Sequence, residues 1–143
     1  EAEAGGDVPI GAVLVRDGEV IARAGNRTLS DQDPTAHAEV LAIRAAAAKL
    51  KSWRLSGCSL YVTLEPCAMC AGAIVLSRLD HLVFGAWDEK AGMVGSLGDI
   101  VRHSRLNHRA HVTTGVLELE CSSMLKGFFQ ERRGTRTDHD RTV

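Results

Sequence analysis

The amino-acid sequence predicts an α/β fold built on a mixed five-stranded sheet. Two short β-prone runs, residues 10–15 and 19–24, are joined by an Asp-Gly turn, which is a strong signal for an antiparallel hairpin. Residues 58–86 follow the pattern strand, helix, strand, which predicts a parallel pair with a right-handed crossover. A fifth strand is expected near residues 111–113. Antiparallel and parallel pairs in one short chain indicate a mixed sheet.

The first long helix is predicted over residues 35–50, after a polar loop. This stretch is rich in alanine and leucine and has no internal glycine or proline, which favours a helix. Asp33 or Thr35 is the expected N-cap, and Pro34 lies near the expected first turn.

The strand, helix, strand unit follows. Residues 58–64 have the composition of a buried strand, and Glu65-Pro66 is typical of a turn. Residues 67–78 then have the composition of a helix that begins directly after proline. The apolar run within residues 81–86 is typical of a strand covered on both faces. This helix contains four small residues, Ala68, Ala71, Gly72 and Ala73. We interpret them as positions of close packing against the sheet and not as a dimer interface.

The last third of the chain is punctuated by glycine. A loop is predicted over residues 92–98, a short helix near 99–103 and a final helix over about 116–132. There is no internal repeat, low-complexity tract or interdomain linker, so we expect one domain over residues 1–143. The residues after about 133 are expected to form a flexible tail.

Composition and charge bound the function only loosely. The chain is 45% hydrophobic and 24% charged, as in ordinary globular proteins, and its net charge of -1 lacks the overall basic excess of most nucleic-acid binders. Any contact with RNA must therefore be local. A solvated tail remains the favoured interpretation of the C-terminal basic residues, Lys126, Arg132, Arg133, Arg136 and Arg141. With no signal peptide and no membrane-length apolar run, we expect a soluble, cytoplasmic protein.

Two cysteines indicate a metal site. Cys67 and Cys70 lie three residues apart at the start of a predicted helix, so they share one helix face, and the helix N-terminus favours their thiolates. His37 lies in the first turn of the other predicted helix and is the best candidate for a third ligand. Two thiolates and one imidazole would leave the fourth tetrahedral position of Zn²⁺ open to water. An open position indicates a catalytic zinc site.

Glu39 supplies the acid–base group that such a site needs. Two thiolates cancel the charge of Zn²⁺, so a bound water is acidified less than by a zinc ion with neutral ligands, and an auxiliary base is expected nearby. Glu39 follows His37 by two residues, a spacing that does not place both side chains on one helix face. We therefore expect it to carry protons and not to bind the ion.

Two non-catalytic interpretations compete with this one. A redox Cys-x-x-Cys pair would leave His37 and Glu39 without a role. A closed structural zinc site in a non-catalytic binding module would need a fourth ligand, and no candidate has a partner at ligand spacing. The candidates are Cys58, Cys121, His81, His103, His108 and His111. Cys58 and Cys121 are better interpreted as core residues.

The segments TAHAE at residues 35–39 and TLEPCAMC at residues 63–70 resemble the cytidine deaminase-like superfamily. The likeness is stronger to bacterial tRNA-specific adenosine deaminases, and blocks similar to that family extend over nearly the whole chain. They lie at residues 8–13, 25–27, 33–35, 60–78, 83–86, 95–97, 107–109 and 128–129.

The resemblance implies a three-layer α/β/α domain that forms a homodimer. It implies that His37, Cys67 and Cys70 hold zinc while Glu39 shuttles protons, and that zinc-bound hydroxide attacks C6 of the wobble adenosine in a tRNA anticodon loop, giving inosine. The family usually has a helix before the first strand. Only seven residues precede Val8, so we expect that helix to be truncated here.

The resemblance also implies substrate contacts. Asn26 would contact the flipped base, the backbone N–H of Ala38 would stabilise the reacting oxygen, and Asp88 and Asn107 would line the pocket and the flanking nucleotides. A deaminase of a free base or nucleoside, of the guanine or cytosine type, is the alternative. The near-neutral charge favours that alternative, whereas the blocks at residues 107–109 and 128–129 favour RNA.

Overall fold

The mixed sheet is confirmed. The computed structural model describes residues 2–135, with side chains through residue 131. Its five strands are ordered β2-β1-β3-β4-β5, with β1 antiparallel to both β2 and β3, and with β3, β4 and β5 parallel. The strands are β1 Gly11–Arg16, β2 Glu19–Gly25, β3 Cys58–Leu64, β4 His81–Ala86 and β5 His111–Thr114.

The β1–β2 hairpin forms at the predicted turn. Asp17 and Gly18 have φ values of 51° and 76°, so both residues are left-handed, and Arg16 pairs with Glu19 across the turn. Left-handed conformations at both central positions define a type I′ turn, whose twist matches that of the flanking strands. An aspartate followed by glycine tolerates this geometry at low cost.

Residues 2–135 include four α-helices, and the first of them was not predicted from the sequence because it is a single turn within the polar loop. They are α1 Thr28–Asp31, α2 Ala38–Leu50, α3 Ala68–Leu76 and α4 Glu118–Thr135. The expected C-terminal tail falls mainly on residues 136–143, which lie outside the described residues. No helix of the described chain is long and apolar enough to cross a bilayer.

The predicted start of α2 is wrong by three residues. The N-cap is His37, and neither Asp33 nor Thr35 caps the helix. Instead, the Asp33 carboxylate accepts hydrogen bonds from the Thr35 backbone N–H at 2.8 Å and from its hydroxyl at 2.7 Å. Because the Asp33 carboxylate is engaged in this local turn, it does not cap the helix. His37 consequently lies just outside the helix and not in its first turn.

The short helix predicted near residues 99–103 is also wrong. The segment forms turns, and the Asp99 carboxylate accepts from both the backbone N–H and the Nε of Arg102. The Arg102 guanidinium also donates to the Val94 carbonyl at 3.1 Å. These side-chain contacts hold the segment against the preceding loop, so it does not form a helix.

The helices cover both faces of the sheet. On one face, α2 and α3 enclose the main core, which includes Leu14, Leu60, Ile74 and Phe84. The residue after Phe84 faces the opposite side because side chains alternate along a strand. That residue is Gly85, where a Cβ would collide with the Cys121 sulfur of α4. The three-layer α/β/α arrangement is therefore confirmed.

Asp7 anchors the start of α1. Its buried carboxylate accepts hydrogen bonds from the Leu29 N–H at 2.6 Å, the Ser30 N–H at 3.2 Å and the Ser30 hydroxyl at 2.6 Å. Burial acts to raise the pKa of Asp7. The hydrogen bonds from Ser30 and Leu29, together with the nearby Arg27, outweigh that effect and hold the pKa below its usual value.

We predict that Asp7→Asn destabilises the fold in a pH-dependent way. A depressed carboxyl pKa contributes stability above the pKa of the unfolded chain, and that contribution is lost as the pH falls through the folded-state pKa. At pH 7 the variant should lose about 1–3 kcal/mol of unfolding free energy, because a buried N–H loses its acceptor. The deficit should shrink as the pH falls towards 3. Urea unfolding of both proteins across this range tests it, and a deficit that grows in acid would contradict it.

Candidate active site

The N-termini of α2 and α3 meet at the carboxyl end of β3. His37 and Cys67 are the N-cap residues of these two helices, and both have extended backbone conformations. The chain leaves β3 at Leu64 and passes through Glu65-Pro66 into Cys67. Ligand sites in α/β sheets lie outside the carboxyl ends of parallel strands. The topology therefore brings the predicted ligands to the expected edge.

His37, Cys67 and Cys70 form a group that could hold one metal ion. The His37 Nδ1 atom lies 3.6 Å from the Sγ atoms of both cysteines, and the three ligand atoms all lie within 4.8 Å of one another. Zn–S distances of about 2.3 Å and Zn–N distances of about 2.0 Å, at tetrahedral angles, separate nitrogen from sulfur by roughly 3.5 Å. The donor types and their spacing fit one tetrahedral zinc ion.

The pKa values of the two cysteines are shifted in opposite directions. A hydrogen bond from the Cys70 side chain lowers the pKa of Cys67 to about 5, with backbone N–H groups of Cys70 and Met69 acting in the same direction. The same hydrogen bond raises the pKa of Cys70, and burial adds to the effect. A metal ion at this point would bind both sulfurs as thiolates, because thiolate is the form that binds metal.

Glu39 lies beside this group without belonging to it. It occupies the first turn of α2, is 4% exposed, and is not among the residues that can share one ion. Burial raises its pKa, against the opposing effects of its own backbone N–H and of a hydrogen bond with Cys70. Its carboxylate is therefore shielded from bulk water next to the ligand cysteine.

The rival closed metal site gains no support within residues 2–131. The His/Cys/Cys group has three members there, and none of the alternative fourth ligands joins it. Cys58 is buried at the start of β3, and Cys121 packs against β4 at Gly85. A tetrahedral ion held by the three ligands would take its fourth ligand from elsewhere, which is the requirement for hydrolysis.

Asn26 lies near the ligand histidine. The backbone N–H of Arg27 donates to the Ala36 carbonyl at 2.9 Å, so the chain that follows β2 runs beside the residue that precedes His37. Asn26 is 7% exposed and lines an open cavity with Asp7, and neither Glu39 nor any of His37, Cys67 and Cys70 lines that cavity. Ala38 begins α2, and the first four N–H groups of a helix have no partner within the helix.

Asp88 and Asn107 lie at different ends of the sheet. The Asp88 carboxylate accepts from the N–H groups of Lys90 and Ala91, and its own N–H donates to Glu65, which precedes the Pro66–Cys67 turn. Asn107 is exposed, and its neighbour His108 contacts the Leu79 carbonyl at the amino end of β4. The contacts of the described residues thus connect Asp88 to the metal group, and they leave Asn107 at the other end of the sheet.

Sequence reasoning assigned no role to Glu65, which is 2% exposed. Its carboxylate accepts from the N–H groups of Asp88, Val94 and Ser96, each at 3.0 Å, and from the Ser96 hydroxyl. Burial acts to raise its pKa, but these bonds lower it below the usual value. The only sequence signal is a glutamate between a buried strand and Pro-Cys.

The fold and the ligand group together define a hydrolytic deaminase of the cytidine deaminase-like class, an enzyme class that uses zinc. Residues 1–133 match the MafB19-like deaminase family. The chain is 56% identical to the tRNA-specific adenosine deaminase of Bacillus subtilis over 133 residues, which cover 93% of this chain and 83% of that protein. The chain belongs to the tRNA-specific adenosine deaminase family.

Two solved structures extend the comparison. A tRNA A34 deaminase, from work on A-to-I editing at the wobble position of transfer RNA, superimposes with a TM-score of 0.82. It is 48% identical, and the match covers 87% of this chain and 92% of that one. A guanine deaminase from Nitrosomonas europaea gives a TM-score of 0.67 at 29% identity, over 83% of this chain and 71% of that one. The tRNA enzyme is the nearer of the two.

Proposed function

We propose that this chain is a zinc-dependent hydrolase that converts adenosine to inosine at the wobble position of a tRNA anticodon. The observation that carries the proposal is the buried Glu39 carboxylate beside the His37, Cys67 and Cys70 group, in a chain of this family. A metal group with no catalytic task has no use for a buried, unligated carboxylate, because burying it costs free energy. We also propose that the protein acts in the cytoplasm.

The residues that would hold Zn²⁺ are His37, through Nδ1, and the thiolates of Cys67 and Cys70. When bound, the ion supplies a Lewis acid that acidifies water at neutral pH. The helix N-termini at Ala38 and Ala68 support the thiolates with their partial positive charge.

Glu39 moves the protons. It takes a proton from the attacking water and delivers it to N1 of the adenine ring as the water oxygen bonds to C6. It then takes the proton of the new C6 hydroxyl and delivers it to the amino group, so that the C6–N bond breaks, ammonia leaves and the oxygen remains as the carbonyl of inosine. The burial of Glu39 keeps bulk water from competing for these protons.

Substrate contacts are proposed at three further residues. The Asn26 side chain would bind the edge of the flipped base, and the Ala38 N–H would donate to the reacting oxygen. Asp88 would line the wall of the pocket, where the loop that carries it is joined to the turn before Cys67. Asn107 stays a prediction, because no contact among the described residues connects it to this site.

An anticodon loop satisfies the geometric demands of this reaction. Attack at C6 requires access to the face of the ring, which a stacked duplex denies, whereas the bases of a single-stranded loop can be splayed out. The net charge of -1 means that local contacts must hold the RNA.

The test is deamination of matched substrates by zinc-loaded protein. An anticodon stem-loop with adenosine at the wobble position should yield inosine, detected by sequencing, while the same stem-loop with cytidine or guanosine there should be unchanged. Free adenine, guanine and cytosine are assayed in parallel by ammonia release. Rapid turnover of free guanine with an untouched stem-loop would overturn the proposal in favour of the alternative suggested by the guanine deaminase structure.

We further propose a homodimer that buries the outer face of α3. Ala71 and Ile74 point into the core, whereas Met69 and Leu76 are 36% and 71% exposed, and a Cβ at Gly72 would meet open space. The exposed positions recur at spacings of three and four, so they form one apolar stripe along the helix. The small residues of α3 thus serve both faces and not only the packing against the sheet.

Leu76→Glu should weaken this dimer. A charge in an apolar interface costs free energy, so we expect the dissociation constant to rise at least about tenfold, which corresponds to about 1.4 kcal/mol. Light scattering across a dilution series measures it. Leu119→Glu on α4, where the side chain is 80% exposed, is the matched control and should not change the mass. A monomeric wild type, or equal effects of both variants, would contradict the prediction.

A further inference from the structure

Glu65 joins two segments that are distant in the sequence. Its buried carboxylate lies at the end of β3, and its hydrogen-bond donors come from residues 88–96, which we call the rim loop. Three backbone N–H groups and one hydroxyl, from Asp88, Val94 and Ser96, converge on the two oxygens. A carboxylate bound by several donors can remain ionised when it is buried.

The rim loop also contacts the turn that carries a metal ligand. The Met93 N–H donates to the Pro66 carbonyl at 2.9 Å, and Gly92 forms an isolated antiparallel bridge with Cys67. Gly92 must be a glycine, because any Cβ there would occupy the position of the Glu65 carboxylate. The rim loop therefore lies against the turn that carries Cys67, and both these backbone contacts and the Glu65 carboxylate join it to that turn.

We propose that Glu65 is a positioning residue, whose carboxylate holds the rim loop against the Pro66–Cys67 turn and so fixes the wall of the substrate pocket relative to the metal ligands. The proposal rests on the proposed function for its catalytic consequence. Asp88, the rim-loop residue that we expect to line the pocket, is linked directly: its N–H donates to Glu65 and its carboxylate caps the next turn at Lys90 and Ala91.

A carboxylate is required because every partner is a donor. Glutamine has nearly the same shape, but it has one oxygen acceptor and an amide NH₂ that donates. In Glu65→Gln the NH₂ group would face either the Asp88 N–H and the Ser96 hydroxyl, or the N–H groups of Val94 and Ser96, so at least one buried N–H loses its acceptor. The rim loop should then detach locally while the core of the domain stays folded.

The experiment compares zinc-loaded wild type with Glu65→Gln, Ser96→Ala and Ser96→Thr. Amide exchange in residues 88–96 should accelerate at least about tenfold in Glu65→Gln, and less in Ser96→Ala, while exchange in β5 is unchanged. At equal zinc content, kcat/KM for the stem-loop should fall about 10- to 100-fold in Glu65→Gln, because a small displacement of a positioning group has effects of that size. Ser96→Thr keeps the hydroxyl, so its exchange rates and kcat/KM should lie closer to the wild-type values than those of Ser96→Ala.

Matched controls separate this role from a general loss of stability. Glu19→Gln makes the same chemical change at an exposed hairpin position and should alter neither measurement. Wild-type exchange in the rim loop of Glu65→Gln would overturn the proposal, as would fast exchange with unchanged kcat/KM per zinc. If Glu65→Gln does not fold, Ser96→Ala carries the same two tests. A wild type that leaves RNA unmodified contradicts the proposed function instead, and rim-loop exchange still reports on Glu65.

Discussion

Glu39→Gln is expected to lower kcat by about 10²–10⁴-fold, the usual contribution of a positioned acid–base group. The glutamine amide has the same shape but can neither accept a proton from water nor pass one to the departing amine. Because His37, Cys67 and Cys70 are untouched, the variant should retain one zinc per chain. Single-turnover rates on the anticodon stem-loop, with metal analysis of the same sample, measure both quantities.

The stability of Glu39→Gln provides an independent check. The wild-type carboxylate is 4% exposed, and burial of a carboxylate is costly. An amide of equal size removes that cost, so the thermal midpoint should stay equal to that of the wild type or rise. Glu120→Gln, a carboxylate-to-amide change on the exposed side of α4, should alter neither rate nor midpoint. Residual turnover near the wild-type rate would remove Glu39 from the proton path.

The strands were predictable because turn residues mark where each of them begins and ends. Residues 58–64 and 81–86 were assigned with the bounds that the structure shows, since each is a continuous β-prone run between turn residues. The hairpin turn was equally local. The predictions for the start of α2 and for the segment near Asp99 were wrong because aspartate carboxylates accept hydrogen bonds from residues two or three positions away. Such local bonds compete with helix formation, and helix propensity does not describe them.

The proximity of His37, Cys67 and Cys70 was predictable from their spacing, whereas the contacts of Glu65 were not. Cys67 and Cys70 are close in sequence, and His37 lies at the start of the other long helix predicted before them, so two helix N-termini could be expected to bring the three side chains together. The donors to Glu65 lie 23–31 residues further along the chain, in a loop without regular periodicity. Such long-range loop contacts leave no repeating pattern in the sequence, and only the fold reveals them.

Substitution of a proposed zinc ligand is expected to have the second large effect on activity. Cys70→Ser should reduce bound zinc to well below one per chain and lower kcat/KM by at least about 10³-fold, since several kcal/mol of transition-state stabilisation depend on the ion. A serine hydroxyl is a far poorer zinc ligand than a thiolate. Zinc content after dialysis and chelator-competition affinity measure the first effect, and stem-loop turnover measures the second.

Cys121→Ser is the matched control, because that half-buried cysteine lies on α4 and outside the ligand group. It should keep full zinc and near-normal turnover. Removal of zinc from the wild type by a chelator should reproduce the Cys70→Ser activity and lower the thermal midpoint, since an ion that binds only the folded chain stabilises it. Because His37 and Cys67 begin two separate helices, the loss of stability should include the contact between α2 and α3. Full zinc retention by Cys70→Ser would show that the ion is held elsewhere.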